Sequence, residues 1–162
     1  ISLRLVGSEM CIRDSNRPSS SDFAMYGQLS QLVNFDPTPR EICHEVSLRT
    51  VAWVGLIEDQ SGIEVDDEQW ESIDTLPSTV KELLAEIGKG YVPAQLANAK
   101  ALENGDKEWQ TEIDGCLWKQ KSFPYQAKCL KWLNEEYKML EDNDQKKVND
   151  LLEDTGCERL IF

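Results

Sequence analysis

The side chains best suited to covalent or acid–base chemistry in this 162-residue chain are five cysteines and one histidine. Cys11, Cys43, Cys116, Cys129 and Cys157 are odd in number, and no two are spaced as CxxC. A disulfide framework or a zinc site does not fit that pattern, whereas a reducing cytoplasm does. One histidine and scattered thiols also leave too few ligands for a transition metal. Cys129 could serve as a nucleophile, but it falls on the apolar face of a helical pattern with no histidine partner, so its plainer role is core packing. The same applies to Cys157, beside Gly156. His44 next to Glu45 suggests a general base, and a surface or interface position explains it as well. Gly88-x-Gly90 follows a helical pattern, whereas a phosphate loop would precede a helix within a βαβ unit.

One group of residues is suited to binding. Tyr91, Asn98, Trp118, Gln120, Tyr125, Gln126 and Lys128 gather around an expected hairpin and the helix that follows it. Aromatic bodies with a few amides and one ammonium can line a ligand groove. The alternative is that the hairpin caps a helical core, with Trp118 and Tyr125 packing against it.

The charge balance narrows the partners. Thirty acidic and 17 basic residues give a net charge of −13. Such a surface repels phosphate backbones, so nucleic acid is a poor fit. The basic concentration at Lys119, Lys121, Lys128 and Lys131 is too small to reverse it. No apolar run approaches the roughly 20 residues of a membrane span.

The elements that would position these residues are mainly helical. Ser19 and Asp22 form a capping box, with Pro18 and Phe23 at the staple positions. Phe23, Tyr26, Leu29, Leu32 and Val33 then give one buried face, and the helix stops before Pro37. Thr38, Pro39 and Glu41 mark a second start, and that helix ends near Val46. Ser47 opens a third, with Val51, Val54 and Ile57 inward beside Trp53 and Gly62 as its stop. Glu64 to Asp74 holds six acids and no base, so it is expected as an exposed connection pinned by Trp70. Thr79 with Glu82 opens a helix ending at Gly88, and Pro93 opens another ending at Gly105. The period then shortens to 2 on each side of Asp114-Gly115, the mark of a β-hairpin near 108–120. A long helix from Pro124 to about Glu141 is expected to bury Tyr125, Cys129, Trp132, Leu133, Tyr137 and Leu140. A last helix, about Asp144 to Asp154, carries Val148, Leu151 and Leu152 and stops at Gly156.

Two resemblances complete the reading. Residues 1–15, ISLRLVGSEMCIRDS, resemble translated sequencing-adapter read-through, so this stretch is taken as a non-native or disordered leader and left out of fold reasoning. RPSSSDFAMYGQLSQLVNFDPTP resembles the sixth-helix region of the glutathione S-transferase C-terminal domain, where an S/T-x-x-D cap is matched by Ser19 and Asp22. VSLRTVAWVGLIEDQSG resembles the next helix. EIGKGYVPAQLANAKAL, IDGCLWKQKSFPYQAKCLKWL and LLEDTGCERL resemble the tail of a bacterial branch of that family. The resemblance covers residues 16–162. It implies an incomplete, all-helical C-terminal domain whose parent also carries an N-terminal thioredoxin-like domain. That missing half would bind glutathione and activate its thiol, while this part walls the pocket for an apolar electrophile. The parent would then be a glutathione transferase, often a homodimer in this family, and the chain alone inactive. The resemblance gives Asp22 a folding role. A non-catalytic transferase-like binding or interaction module is the alternative.

Overall fold

The computed structural model describes residues 20–60 and 72–161. Among them are six α-helices and one antiparallel hairpin, a mainly α architecture. They fall into two compact units that divide after Thr79.

The first unit is built from α1 (Ser20–Asn34), α2 (Pro37–Val46) and α3 (Leu48–Glu58). Its core is Val33, Trp53, Val54 and Ile57, with Met25, Tyr26, Leu29, Cys43 and Val51 packed against it. The inward face of α1 is Asp22, Tyr26, Leu29, Ser30 and Val33, at three- and four-residue steps; Phe23 and Leu32, expected inside, are substantially exposed. The polar Asp22 and Ser30 take inward positions on that face, and the Ser30 hydroxyl donates to the Gly27 carbonyl at 3.4 Å. Asp22 is fully buried in the first turn, where a carboxylate sits at the positive end of the helix dipole. Its expected capping partner Ser19, with Pro18, Gly62 and Trp70, lies outside the described residues. Helix α2 starts at Pro37, with Asp36 as N-cap, not at Pro39 with Thr38. Pro37 already supplies the fixed φ that the first helical position favours, so the second proline simply continues the first turn. Ser47 caps α3 as expected: its Oγ accepts from the Thr50 amide at 3.4 Å and lies 2.8 Å from Thr50 Oγ1. A short 3₁₀ turn covers Ile73–Thr75.

The second unit is organised on α4, Ser78–Asn104, a single helix through Gly88, Gly90 and Pro93 where two had been expected. At 1.5 Å per residue its 27 residues span about 40 Å. Glycine costs a helix about 1 kcal/mol and proline about 3, and neither penalty prevails here. The reason is packing. Leu84, Ile87, Val92, Leu96 and Ala99 contribute to one core with Leu130, Leu152, Cys157 and Leu160, and splitting α4 would divide that row. Gly88 meets the chain at Thr155 and Gly156 backbone to backbone, which only a residue without a Cβ permits. Gly105, at φ +79°, ends the helix as expected.

The hairpin follows. β1 (Glu108–Ile113) pairs with β2 (Cys116–Lys121) from Ile113↔Cys116 out to Glu108↔Lys121. Asp114 and Gly115 turn it with φ of +48° and +75°, the pair of positive values that selects this dipeptide. α5 (Pro124–Met139) and α6 (Asp142–Leu152) come next, and the chain closes with a 3₁₀ turn at Cys157–Leu160. α5 turns a different face inward from the one its apolar residues suggest. Leu130 and Asn134 are buried, whereas Tyr125, Trp132, Leu133 and Leu140 are exposed. Asn134 decides this: its Nδ2 donates to the carbonyls of Leu130 and Leu160, at 3.0 and 2.8 Å, tying the helix to the last turn.

Candidate functional site

Of the residues singled out for binding, Asn98, Tyr125, Gln126 and Lys128 gather where α4 meets the start of α5, and there a buried latch lies beside an exposed strip. The latch is made of amides. Asn98 is fully buried on α4. Its Nδ2 donates to the Phe123 carbonyl at 3.0 Å, and its Oδ1 accepts from the Phe123 amide at 2.7 Å. One turn back, Gln95 Nε2 donates to the Gln126 carbonyl at 2.6 Å. Ser122 adds two bonds to the other limb: its amide donates to the Lys107 carbonyl and its hydroxyl to the Asp106 carbonyl. The crossing from β2 into α5 is therefore held by five hydrogen bonds, at Ser122, Phe123 and Gln126. Asn98 and the main chain of Gln126 belong to this scaffold and present nothing outward.

The strip is aromatic. Phe123 and Tyr125 have ring centroids 6.3 Å apart, and Tyr125 meets Trp132 edge-to-face at 6.2 Å. Lys128 lies with its Nζ 4.6 Å from the Trp132 ring centre, a cation–π contact. All three rings are about half exposed, at 54, 57 and 42%. Neighbouring rings hold one another's rotamers, so the surface they present is preformed.

The remaining candidates take no part in the strip. Tyr91, on α4, is partly exposed, and its phenol is pushed up, first by burial and then by the nearby Cys129 thiol. Cys129 is half-buried on α5, one turn beyond Tyr125, in the place expected of a packing residue. Trp118 and Gln120 are exposed on one face of β2, opposite Thr111 and the buried Trp109. His44 is exposed. Cys157 is buried, and its Sγ–H donates to the Leu84 carbonyl at 3.1 Å. Burial raises its pKa, so its thiol is kept neutral and unreactive.

No family model, curated protein or solved structure matches the chain. Among the described residues no group of three or more His, Cys, Asp or Glu could hold a metal ion. The strip carries no carboxylate or imidazole for acid–base work. What it offers is flat apolar surface with one cation at its margin, which suits binding. Three contributors escaped the sequence reading. Phe123 had a signal, as an aromatic directly before a helix-opening proline. Gln95 had another, standing three residues before Asn98 on the same helix face. Trp132, expected inside from its place on the apolar face of α5, is 42% exposed.

Proposed function

We propose that this chain is the helical portion of a glutathione S-transferase-like protein, and that its aromatic strip forms part of the wall against which an apolar electrophile rests. The observation that carries this reading is the set of three half-exposed rings at Phe123, Tyr125 and Trp132, held on a segment that Asn98 and Gln95 latch to α4. Exposed aromatic surface costs solvation free energy, and holding it in fixed geometry suits a ligand that covers it. The strip lies within IDGCLWKQKSFPYQAKCLKWL, one of the stretches that carries the family resemblance.

The described residues do not suit glutathione itself. A charged tripeptide needs paired donors and an activated thiol site. The strip instead supplies apolar faces and a single ammonium, Lys128, already resting on Trp132. Glutathione is therefore assigned to a thioredoxin-like half of the parent, and the chain by itself conjugates nothing. A cytoplasmic location, consistent with the unpaired thiols, is part of the same reading. No helix among the described residues is long and apolar enough to cross a membrane.

Calorimetric titration with a dinitroaryl chloride tests the wall. Saturable binding is expected, weakened at least tenfold in Trp132→Ala with the thermal transition unchanged, and glutathione alone should give no heat. Equal affinity in Trp132→Ala, or glutathione-conjugating turnover by the chain alone, would refute the assignment.

A further inference from the structure

Among the described residues no strand, helix or loop pairs with the outer edge of β2, and the two charged residues of β2 itself are both lysines. In the register Ile113↔Cys116, Thr111↔Trp118 and Trp109↔Gln120, the ladder continues to the bond from the Ser122 amide to the Lys107 carbonyl. Hydrogen-bonded and non-bonded pairs alternate in an antiparallel ladder. Cys116, Trp118 and Gln120 therefore turn their backbone groups toward β1, and Leu117, Lys119 and Lys121 turn theirs away from it. All six residues of β2 are exposed, and Leu117 and Trp118 are 75 and 53% exposed. A row of outward N–H and C=O groups is a template for another strand.

From Cys116 to Asn134 the sequence has four lysines, Lys119, Lys121, Lys128 and Lys131, and no acidic residue. In a chain of net charge −13 this stretch carries positive charge alone, and carboxylates from outside it, Glu108 and Glu135, pair with Lys119 and Lys131. Lys119 and Lys121 flank the outward groups of β2 on one face of the hairpin, with Trp118 and Gln120 on the other. Lys119 is held at 2.7 Å by Glu108 in a solvent-exposed pair that a second carboxylate can displace, and Lys121 has no carboxylate within 4.0 Å among the described residues.

We propose that the free edge of β2 is a docking site for an extended acidic peptide, which adds as a third strand. An antiparallel occupant sets its residues opposite Lys121 and Lys119 on the lysine face, where acids pair with the ammonium groups. The residue opposite Trp118 falls on the other face, where an apolar side chain covers the indole. The occupant thus reads acid, any, acid, apolar, apolar. Charge complementarity selects it over the other strands available. A second β2 in antiparallel pairing would bring lysines against lysines, which is unfavourable for directly opposed like charges. A basic peptide would meet the same repulsion. This site is separate from the aromatic strip and does not depend on the transferase reading.

The test uses the full chain and a fluorescein-labelled, end-capped EVEFV peptide, with KVKFV as its charge-reversed counterpart, followed by fluorescence anisotropy at low salt. EVEFV is expected to bind and KVKFV at least tenfold more weakly. Lys119→Gln with Lys121→Gln, which sets no like charges opposite Glu108, should abolish that preference, with circular dichroism showing the variant folded. Methylating the peptide's backbone nitrogens at alternate residues separates strand addition from simple charge attraction. One parity, facing β2, should abolish binding, and the other, facing solvent, should leave it intact. Leu117→Pro removes one outward N–H without touching the ladder and should weaken binding by the same route. Equal binding of both methylation parities, equal binding of EVEFV and KVKFV, or no binding of EVEFV at all would overturn the proposal. So would concentration-dependent self-association lost in the double lysine variant, which would make a second copy the occupant.

Discussion

Gly88 offers the sharpest stability test, because two effects of known size act there in opposite directions. Replacing a helical glycine by alanine ordinarily gains about 1 kcal/mol. At Gly88, however, the added Cβ would be driven into the carbonyl oxygen of Thr155, and would lie 2.9 Å from that carbonyl carbon and 3.1 Å from the Gly156 Cα. All three atoms are backbone, so no rotamer change relieves the overlap. Either α4 or the final turn must shift, and the row of Leu84, Val92, Cys157 and Leu160 loosens with it. Overpacking of this kind costs about 1–3 kcal/mol, and separating the core contacts adds to it. Gly88→Ala should therefore lose about 2 kcal/mol net, a fall of about 4–8 °C in Tm for a chain of this size. Gly90, two residues on, has nothing within 4 Å of its Cβ position. Gly90→Ala should gain about 0.5–1 kcal/mol from helix propensity alone. Native-state hydrogen exchange at Val92 and Leu130 reads the second unit directly. If Gly88→Ala proves as protective as Gly90→Ala, the backbone contact that explains the unbroken α4 is wrong.

Other expectations follow from the latch and the buried titratable groups. Asn98→Ala removes both bonds to Phe123 and should destabilise the second unit by about 2–3 kcal/mol, measured by urea unfolding. Asn98→Asp should be less stable at pH 7 than at pH 4, because only a protonated carboxyl can donate to the Phe123 carbonyl while accepting from its amide. Burial raises the Cys157 thiol above its ordinary 9.0, and burial with the Cys129 thiol raises the Tyr91 phenol above 10.0. Folding therefore favours both neutral forms. That stability is intact below the ordinary values and is lost as pH rises through the folded ones. Unfolding free energy should fall from about pH 9 upward, and less steeply in Cys157→Ala with Tyr91→Phe. Under native conditions at pH 8, iodoacetamide should label the exposed Cys116 well before Cys157, as read by mass spectrometry of the digested chain.

Local rules gave what local geometry decides. The Asp-Gly dipeptide forces two positive φ values, so the hairpin and its boundaries were legible in the sequence. Ser47 and Gly105 were legible for the same reason: each satisfies or releases backbone groups within one turn of itself. The misreadings of α4 and α5 came from distant partners. Gly88 and Pro93 look like helix breaks until Thr155, 67 residues away from Gly88 in sequence, is seen packed against the first of them. The α5 face was misread because apolar residues were assumed to point inward. Asn134, a polar residue, takes the inward position through its bond to Leu160, leaving Tyr125 and Trp132 outside. The candidate site was half legible. Residue types located the neighbourhood, but only the fold separates Asn98, which holds the backbone, from Tyr125, which faces solvent.

The bond from Asn134 to the Leu160 carbonyl, with Cys157 and Leu160 completing the core around Val92, has a consequence for synthesis. The α1–α3 unit draws on neighbouring stretches of chain and can consolidate while translation continues. The second unit cannot. Until residue 160 emerges from the ribosome, α4 and α5 have no lid for their shared apolar row, and a nascent chain paused before that point would present it to chaperones.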